Sequence, residues 1–280
     1  MNTKQTILTH FNFKGGSSKT CLNLSFALQY CANYPDKRVL FIDADAQSNA
    51  TRFILGSKYI RKNLYTIQDG ILDNVPISEL IVDSPLENYP NFDTIPSCLD
   101  MLTLNKKLSV RPFHETLLQK YLNREESKSA LSKYDLIIFD LNPDFSETNT
   151  NVLLCCTDII PLINYGCTLS LDGYISLINI YEGILEGANR TDNVLRKPVI
   201  TKFVKKANTV INEWIDEAEE NNIFGNTFKQ TMRRSTHYEN AVRLNIDIKT
   251  YIKTNKIRTD IEDEIDNLIN EYIENNILEI

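Results

Sequence analysis

The chain has 280 residues, with 37 acidic against 30 basic side chains, a net charge of −7. That length can bury a large α/β core, and that charge excludes indiscriminate attraction to nucleic acid over the whole surface, so DNA contact requires a local basic patch. No apolar run approaches the ~20 residues needed to span a bilayer, and strand-like sequence starts too early for a secretory leader, so a cytoplasmic protein is expected.

The first predicted strand, Thr6–Asn12, runs into Lys14-Gly15-Gly16-Ser17-Ser18-Lys19-Thr20 and then into helical sequence, Thr20–Tyr34. Strand, glycine turn and helix make a phosphate-binding loop. Adjacent glycines let backbone N–H groups turn onto anionic oxygens, and the helix adds its positive N-terminal end. Lys19 would reach the β/γ-phosphates of ATP, with the Thr20 hydroxyl on Mg2+. The pattern is K-G-G-x-x-K-T, with Phe13 and Ser18 where the ordinary G-x-x-x-x-G-K-[ST] loop has glycine. The additional lysine, Lys14, is suited to crossing a subunit boundary onto a partner's nucleotide.

A second strand, Arg38–Ala44, delivers Asp43-Ala44-Asp45-Ala46-Gln47-Ser48-Asn49-Ala50-Thr51. Carboxylates at i and i+2 share one side of an extended segment, which at a parallel strand's carboxyl end faces the ligand crevice. One of the two carboxylates can help organise magnesium water while the other positions the attacking water. Short helices are expected around Ile67–Leu72 and Ile77–Val82, a strand at Phe92–Pro96 and a helix over Leu104–Leu122. The next strand, Leu136–Leu141, places Asp140 at its end, the Walker B arrangement that holds a carboxylate near Mg2+. Helix Asn149–Cys156, strand Asp158–Ile163, helix Ser170–Ala188, strand Pro198–Val204 and helix Thr209–Asn221 follow, and Phe224–Phe228 reads as one further short strand. The alternation predicts a doubly wound, mainly parallel β-sheet flanked by helices, in a single domain over residues 1–280. Arg258–Ile280 has apolar residues at helical spacing and an acidic opposite face, which fits a helix packed on the domain rather than a membrane anchor.

The six cysteines form no C-x-x-C pair and read as reduced thiols. Basic residues gather in the last third, at Lys202, Lys205, Lys206, Lys229, Arg233, Arg234 and Arg243, a candidate DNA patch.

The ordered motifs resemble the ParA/MinD-type deviant Walker A ATPases, most nearly the ParA/Soj DNA-partitioning branch. K-G-G-x-x-K-T stands at Lys14–Thr20, V-L-x-I-D-x-D-P-Q-x-N-A-T resembles Val39–Thr51, and L-x-x-I-P-S-x-L-x-L is similar to Phe92–Met101. Y-D-x-I-I-x-D-x-P-P is similar to Tyr134–Pro143, I-P followed by S-L-x-G resembles Ile160-Pro161 with Ser170–Gly173, and the closing I-R-x-S stretch resembles Met232–Ala241. The resemblance implies a P-loop ATPase that forms an ATP-dependent homodimer, binds DNA without sequence preference on the nucleoid, and is stimulated by a centromere-binding, ParB-like partner. It implies catalytic roles for Lys14 and Asp45. The implied ATP-binding set is Lys14, Gly15, Gly16, Ser17, Ser18, Lys19, Thr20 and Cys21, with Thr201 and Lys202 near the base. Thr20, Asp43 and Asp140 would serve Mg2+, and Lys229, Arg233 and Arg234 would serve DNA. Departures stand at Ser18, at Ala46 in place of proline, and at Asn142-Pro143-Asp144 after Walker B. These bear on hydrolysis rate rather than on nucleotide binding. Three rival readings are a protein cargo on the nucleoid, a membrane-associated division-site regulator, and an iron protein using Cys98 with Cys155 or Cys156.

Overall fold

The computed structural model describes residues 5–56, 64–204 and 209–280. Lys205 and Lys206, two residues of the expected basic patch, lie outside them. Six strands, β1 (Thr6–Phe11), β2 (Val39–Asp43), β3 (Phe92–Ile95), β4 (Leu136–Asp140), β5 (Asp158–Asn164) and β6 (Val199–Thr201), form one sheet in the order β3-β2-β4-β1-β5-β6. Every pairing between these strands is parallel, and Val82 adds an isolated antiparallel bridge to Thr94 of β3. Strands β2 to β6 are buried along their whole length, as expected of strands covered on both faces.

The helices are α1 (Lys19–Asn33), α2 (Asn49–Leu55), α3 (Ile67–Asp73), α4 (Ile77–Leu80), α5 (Leu104–Ser109), α6 (Leu117–Leu122) and α7 (Glu125–Leu131). They continue with α8 (Glu147–Leu153), α9 (Thr168–Gly187), α10 (Thr209–Glu220), α11 (Thr236–Arg243), α12 (Ile248–Thr254) and α13 (Glu264–Glu274). One face of the sheet packs against α1, which in turn contacts α11, α12 and α13. The other face is covered by α3 to α9, and a smaller apolar cluster around Trp214 joins α10 to β5 and β6.

Two elements differ from the sequence reading. The expected helix over Leu104–Leu122 is divided into α5 and α6, joined by a turn that includes Arg111-Pro112-Phe113. Pro112 has no N–H to give a helix, and its ring pushes the preceding residue out of the helical region. The expected strand at Phe224–Phe228 contains instead a 3-10 turn at Phe224–Asn226. Phe228 reaches the core, and its N–H bonds Pro198 O beyond the amino end of β6 without extending the ladder.

The acidic C-terminal segment is anchored by its apolar side. Ile265, Leu268, Ile269 and Tyr272 of α13 are buried against α1, and Phe26 and Phe228 pack on the Tyr272 ring. Beneath Tyr272 lies His10 of β1, fully buried. Burial pushes the His10 imidazole down to about 4, against an upward pull from its hydrogen bond with Asn23. The unfolded chain takes up a proton near pH 6.5 and the folded chain does not, so this contribution is complete above pH 6.5 and is lost as pH falls toward 4. Wild-type protein is expected to lose about 2 kcal/mol of unfolding free energy between pH 6.5 and pH 5 from this group. Urea unfolding at both pH values checks it: the His10→Gln variant should show a loss smaller by that amount, and equal losses in both proteins would contradict the assignment.

Candidate functional site

The carboxyl ends of β1, β2 and β4 meet at one edge of the sheet, where ligands of doubly wound folds bind. The loop after β1 is held from two sides. Asn12 Nδ2 donates to Leu162 O at 2.6 Å and Ser170 O at 3.0 Å, while Asn12 Oδ1 accepts from Lys14 N at 2.6 Å. Asn164 Nδ2 donates to Gly16 O at 3.3 Å, and Lys202 Nζ donates to the same carbonyl. Thr201 Oγ1 in turn donates to Asn164 Oδ1 at 2.7 Å. Thr201 and Lys202, expected near the base, thus also brace the loop. Gly16 and Ser18 both have positive φ, 74° and 67°. Ser18 therefore takes the left-handed conformation that a glycine would adopt without strain, and its N–H stays available to the site.

Lys19, buried at the start of α1, donates from Nζ to Asn12 O at 2.9 Å, Ser17 Oγ at 3.3 Å and Lys14 O at 3.4 Å. Burial pushes its ammonium down to about 8, while Asp140, Asp45 and Asp144 pull it upward. Asp43 and Asp140 are register partners on β2 and β4, and both are fully buried. Burial raises both carboxyls, and Asp140 adds to the rise at Asp43.

Their oxygens differ in what they bind. Asp43 Oδ2 accepts from Thr51 N at 2.8 Å and Thr51 Oγ1 at 2.7 Å, and its Oδ1 accepts from Asp45 N at 3.1 Å. Asp43 therefore anchors its own loop through both carboxylate oxygens. Asp140 Oδ1 accepts from Asn23 Nδ2 at 2.8 Å, whereas Oδ2 is buried without a partner. Thr20 lies beside this carboxyl and favours its charged form. An ionisable oxygen left unpaired next to a hydroxyl is a donor set that suits a hydrated, oxygen-seeking cation such as Mg2+.

Asp45 is buried, with Oδ1 accepting from Gln47 N at 2.9 Å and its carbonyl from Ser97 Oγ at 2.7 Å. Burial raises its pKa, opposed by the Gln47 N–H and by Lys19. The loop after β4 is also fastened: Asn142 Nδ2 donates to Asp144 Oδ2 at 2.6 Å, and Asn149 Nδ2 donates to Asn142 O and Asp144 O. Here Asn142-Pro143-Asp144, the departure after Walker B, becomes a hydrogen-bonded turn.

Two cavities adjoin along Ser18, Cys21 and Glu239. One, of about 350 Å³, is lined by Gly16–Cys21, Asp45, Leu141 and Pro143; the other, of about 670 Å³, by Thr201, Lys202, Met232, Arg233 and Arg234. Cys21 is an inert thiol there, pushed up to about 12 by burial. Met232, Tyr238 and Glu239 as lining residues were missed by the sequence reading; only the crossing of β6 and the 231–239 segment brings them to the loop. Arg233 is committed elsewhere than to open surface: its guanidinium pairs with Asp260 and Glu264, and its N–H donates to Glu264 Oε2 at 2.9 Å. Arg234 and Lys229 are exposed, and Arg243 pairs with Glu239 at 2.6 Å. Cys98 follows β3 while Cys155 and Cys156 precede β5, at opposite ends of a parallel sheet, which removes the shared-cluster reading.

Asn12 leaves no room at α9. A Cβ on Gly173 would lie 2.5 Å from Asn12 Oδ1, the atom that receives the Lys14 N–H. Gly173→Ala is expected to cost about 1–3 kcal/mol and to weaken nucleotide binding as the loop shifts. Denaturant unfolding with a nucleotide titration checks both, and wild-type values in each would mean the Asn12 contact carries no strain.

A family profile described as an AAA domain matches residues 5–193. The chain is 31% identical over 182 residues to the cell division protein PomZ of Myxococcus xanthus, an alignment covering 64% of this chain and 52% of PomZ. It is 26% identical over 204 residues to the sporulation initiation inhibitor protein Soj of Bacillus subtilis, covering 72% of this chain and 74% of Soj. The match to PomZ thus spans only about half of that relative's length. Among solved structures, a putative plasmid partition protein of Borrelia burgdorferi bound to AMPPNP superposes with TM-score 0.71 at 20% identity, covering 97% and 99% of the two chains. An ATP complex of a Cyanothece McdA variant superposes with TM-score 0.78 at 17% identity, covering 99% and 98%. At these identities the structures establish likeness of fold. With the motif order, the profile match and these relatives together, the chain belongs to the AAA-domain family and, within it, to the ParA/Soj-type partition ATPases of the deviant Walker A group.

Proposed function

We propose that this protein is an ATP-dependent, dimeric, DNA-binding ATPase of plasmid or chromosome partition, hydrolysing ATP to ADP and phosphate under the control of a centromere-binding, ParB-like partner. The carrying observation is that Lys19 is buried under a loop opening onto two adjoining cavities while Asp140 Oδ2 is buried without a hydrogen-bond partner. The phosphates lie on the N–H groups of Gly15–Thr20 and on Lys19, with the base directed to Thr201, Lys202 and Met232. The Thr20 hydroxyl and, through water, Asp140 would hold Mg2+, which would supply positive charge against the phosphates. Residues 1–280 act as one ATPase domain, with 258–280 docked on it, at work in the cytoplasm on the nucleoid.

Asp45 orients the attacking water, since its carboxylate borders the same cavity as Lys19. Asp45→Ala is expected to bind ATP and dimerise while turnover falls by about two orders of magnitude or more. Phosphate release beside nucleotide binding tests this. Undiminished turnover refutes the role, and lost ATP binding makes Asp45 structural.

Lys14 reaches the partner's nucleotide, and the dimer sets two copies of the Lys229–Arg234 surface side by side. Doubling the phosphates engaged steepens the salt dependence of DNA binding. Lys14→Ala should weaken ATP-dependent dimerisation and DNA binding together. Arg234→Ala should spare the dimer and weaken binding to unrelated duplexes alike. Sedimentation with and without ATP and a salt series on two duplexes are the measurements; a monomer that binds DNA equally well without nucleotide would end this reading.

A second reading keeps the ATPase and changes the cargo. The likeness to PomZ, a cell division protein, favours positioning of a protein assembly. A membrane-associated regulator held by its last helix is disfavoured because the apolar side of α13 is buried against α1.

A further inference from the structure

Asp140 sits at the end of a buried chain of hydrogen bonds that crosses the layer of α1. Asn23 Nδ2 donates to Asp140 Oδ1 at 2.8 Å. Asn23 Oδ1 lies 2.7 Å from His10 Nδ1 and accepts from the His10 backbone N–H at 3.4 Å. His10 Nε2 lies 2.9 Å from the Tyr272 hydroxyl on α13. Asn23, His10, Asp140 and Tyr272 are all completely buried.

The direction of every bond follows by elimination. A backbone N–H can only donate, so the Asn23 atom facing His10 is the carbonyl oxygen, and the amide NH2 faces Asp140. That carbonyl can only accept, so His10 Nδ1 carries the proton. Burial keeps the imidazole neutral, so Nε2 accepts and the Tyr272 hydroxyl donates. All three donors point toward Asp140. The chain thus occupies Oδ1 and leaves Oδ2 as the oxygen without a partner.

We infer that Asn23, His10 and Tyr272 are positioning residues that hold Asp140 with Oδ2 presented to magnesium water, coupling the metal response of the site to the docking of α13. The inference rests on the nucleotide–magnesium reading above. Asn23 locks the carboxylate rotamer, His10 locks the amide orientation, and Tyr272 locks the imidazole tautomer. Partners of this kind act on a metal without touching it.

The test is a titration of fluorescent mant-ADP binding with Mg2+, run beside the same binding without the metal. Asn23→Leu keeps the side-chain volume and removes the donor to Oδ1. Its metal-free affinity is expected to match wild type, while the Mg2+ concentration for half-maximal response rises about 10–100-fold. Tyr272→Phe keeps the ring among Phe26 and Phe228 and removes only the hydroxyl. It should shift the same midpoint in the same direction by about 2–10-fold, and it decides the matter if Asn23→Leu fails to fold. Unchanged midpoints overturn the inference, as does an equal loss of affinity with and without Mg2+, which marks a merely structural role. If wild-type binding itself ignores Mg2+, the nucleotide–magnesium reading fails as well; a responsive wild type whose variants keep its Mg2+ midpoint sinks the inference alone.

Discussion

A carboxylate held in the interior with one oxygen unpaired is costly, and the arrangement around Asp140 follows from that cost. The parallel strand β4 carries it to the carboxyl end of the sheet, directly opposite Asp43 on β2. Two such groups side by side disfavour each other's charge. Asp43 is quieted by Thr51 and Asp45 N–H, and Asp140 by Asn23 on one oxygen only. The nearby positive charge is Lys19, itself buried and weakened as an ammonium by that burial. The site therefore gathers opposing charges in a low-dielectric place, where an anionic phosphate and a cation complement what is already there.

The loop that would receive the phosphate is not free-standing. Asn12 ties its entry to β5 and α9, and Asn164 and Lys202 tie its middle to the ends of β5 and β6. Gly16 and Ser18 stand in left-handed backbone within this braced loop, the kind of conformation in which successive N–H groups form an anion-binding concavity. Preorganisation of this kind replaces reorganisation at the moment of binding. The C-terminal helix joins the same structure from below, through Tyr272 and through Glu264, which receives Arg233 and the Tyr238 hydroxyl. An acidic helix that reads as a simple cover in the sequence is thus linked to Asp140 through His10 and Asn23 on one side and reaches the larger cavity wall on the other.

Six strands and the main helices were legible because each strand is an apolar, β-branched run bounded by polar turns, and the helix after the loop begins where glycine ends. The helices α2, α7, α11 and α12 escaped; each has only seven or eight residues, about two turns, although α11 and α12 place apolar residues at i, i+3 and i+4. Ser235 and Asp247 do cap α11 and α12 by accepting N–H bonds from His237 and Thr250. Each is a signal visible in sequence only to a reader who already expects a helix there.

The order of Lys14–Thr20, Asp43, Asp45 and Asp140 along the chain determined the fold class and the site, since a loop between strand and helix and a carboxylate at a strand end are local patterns. Which oxygen of which carboxylate is free was decided only in three dimensions. Asp43 and Asp140 look alike as residues ending apolar strands, and they part only when Thr51 folds back on one and Asn23 reaches the other. Arg233 and Arg234 are likewise adjacent and identical in type, yet one is held by Asp260 and Glu264 and the other faces solvent. Sequence spacing sets which groups exist and roughly where; pairing across distant elements decides which of them retain a charge or lone pair to offer.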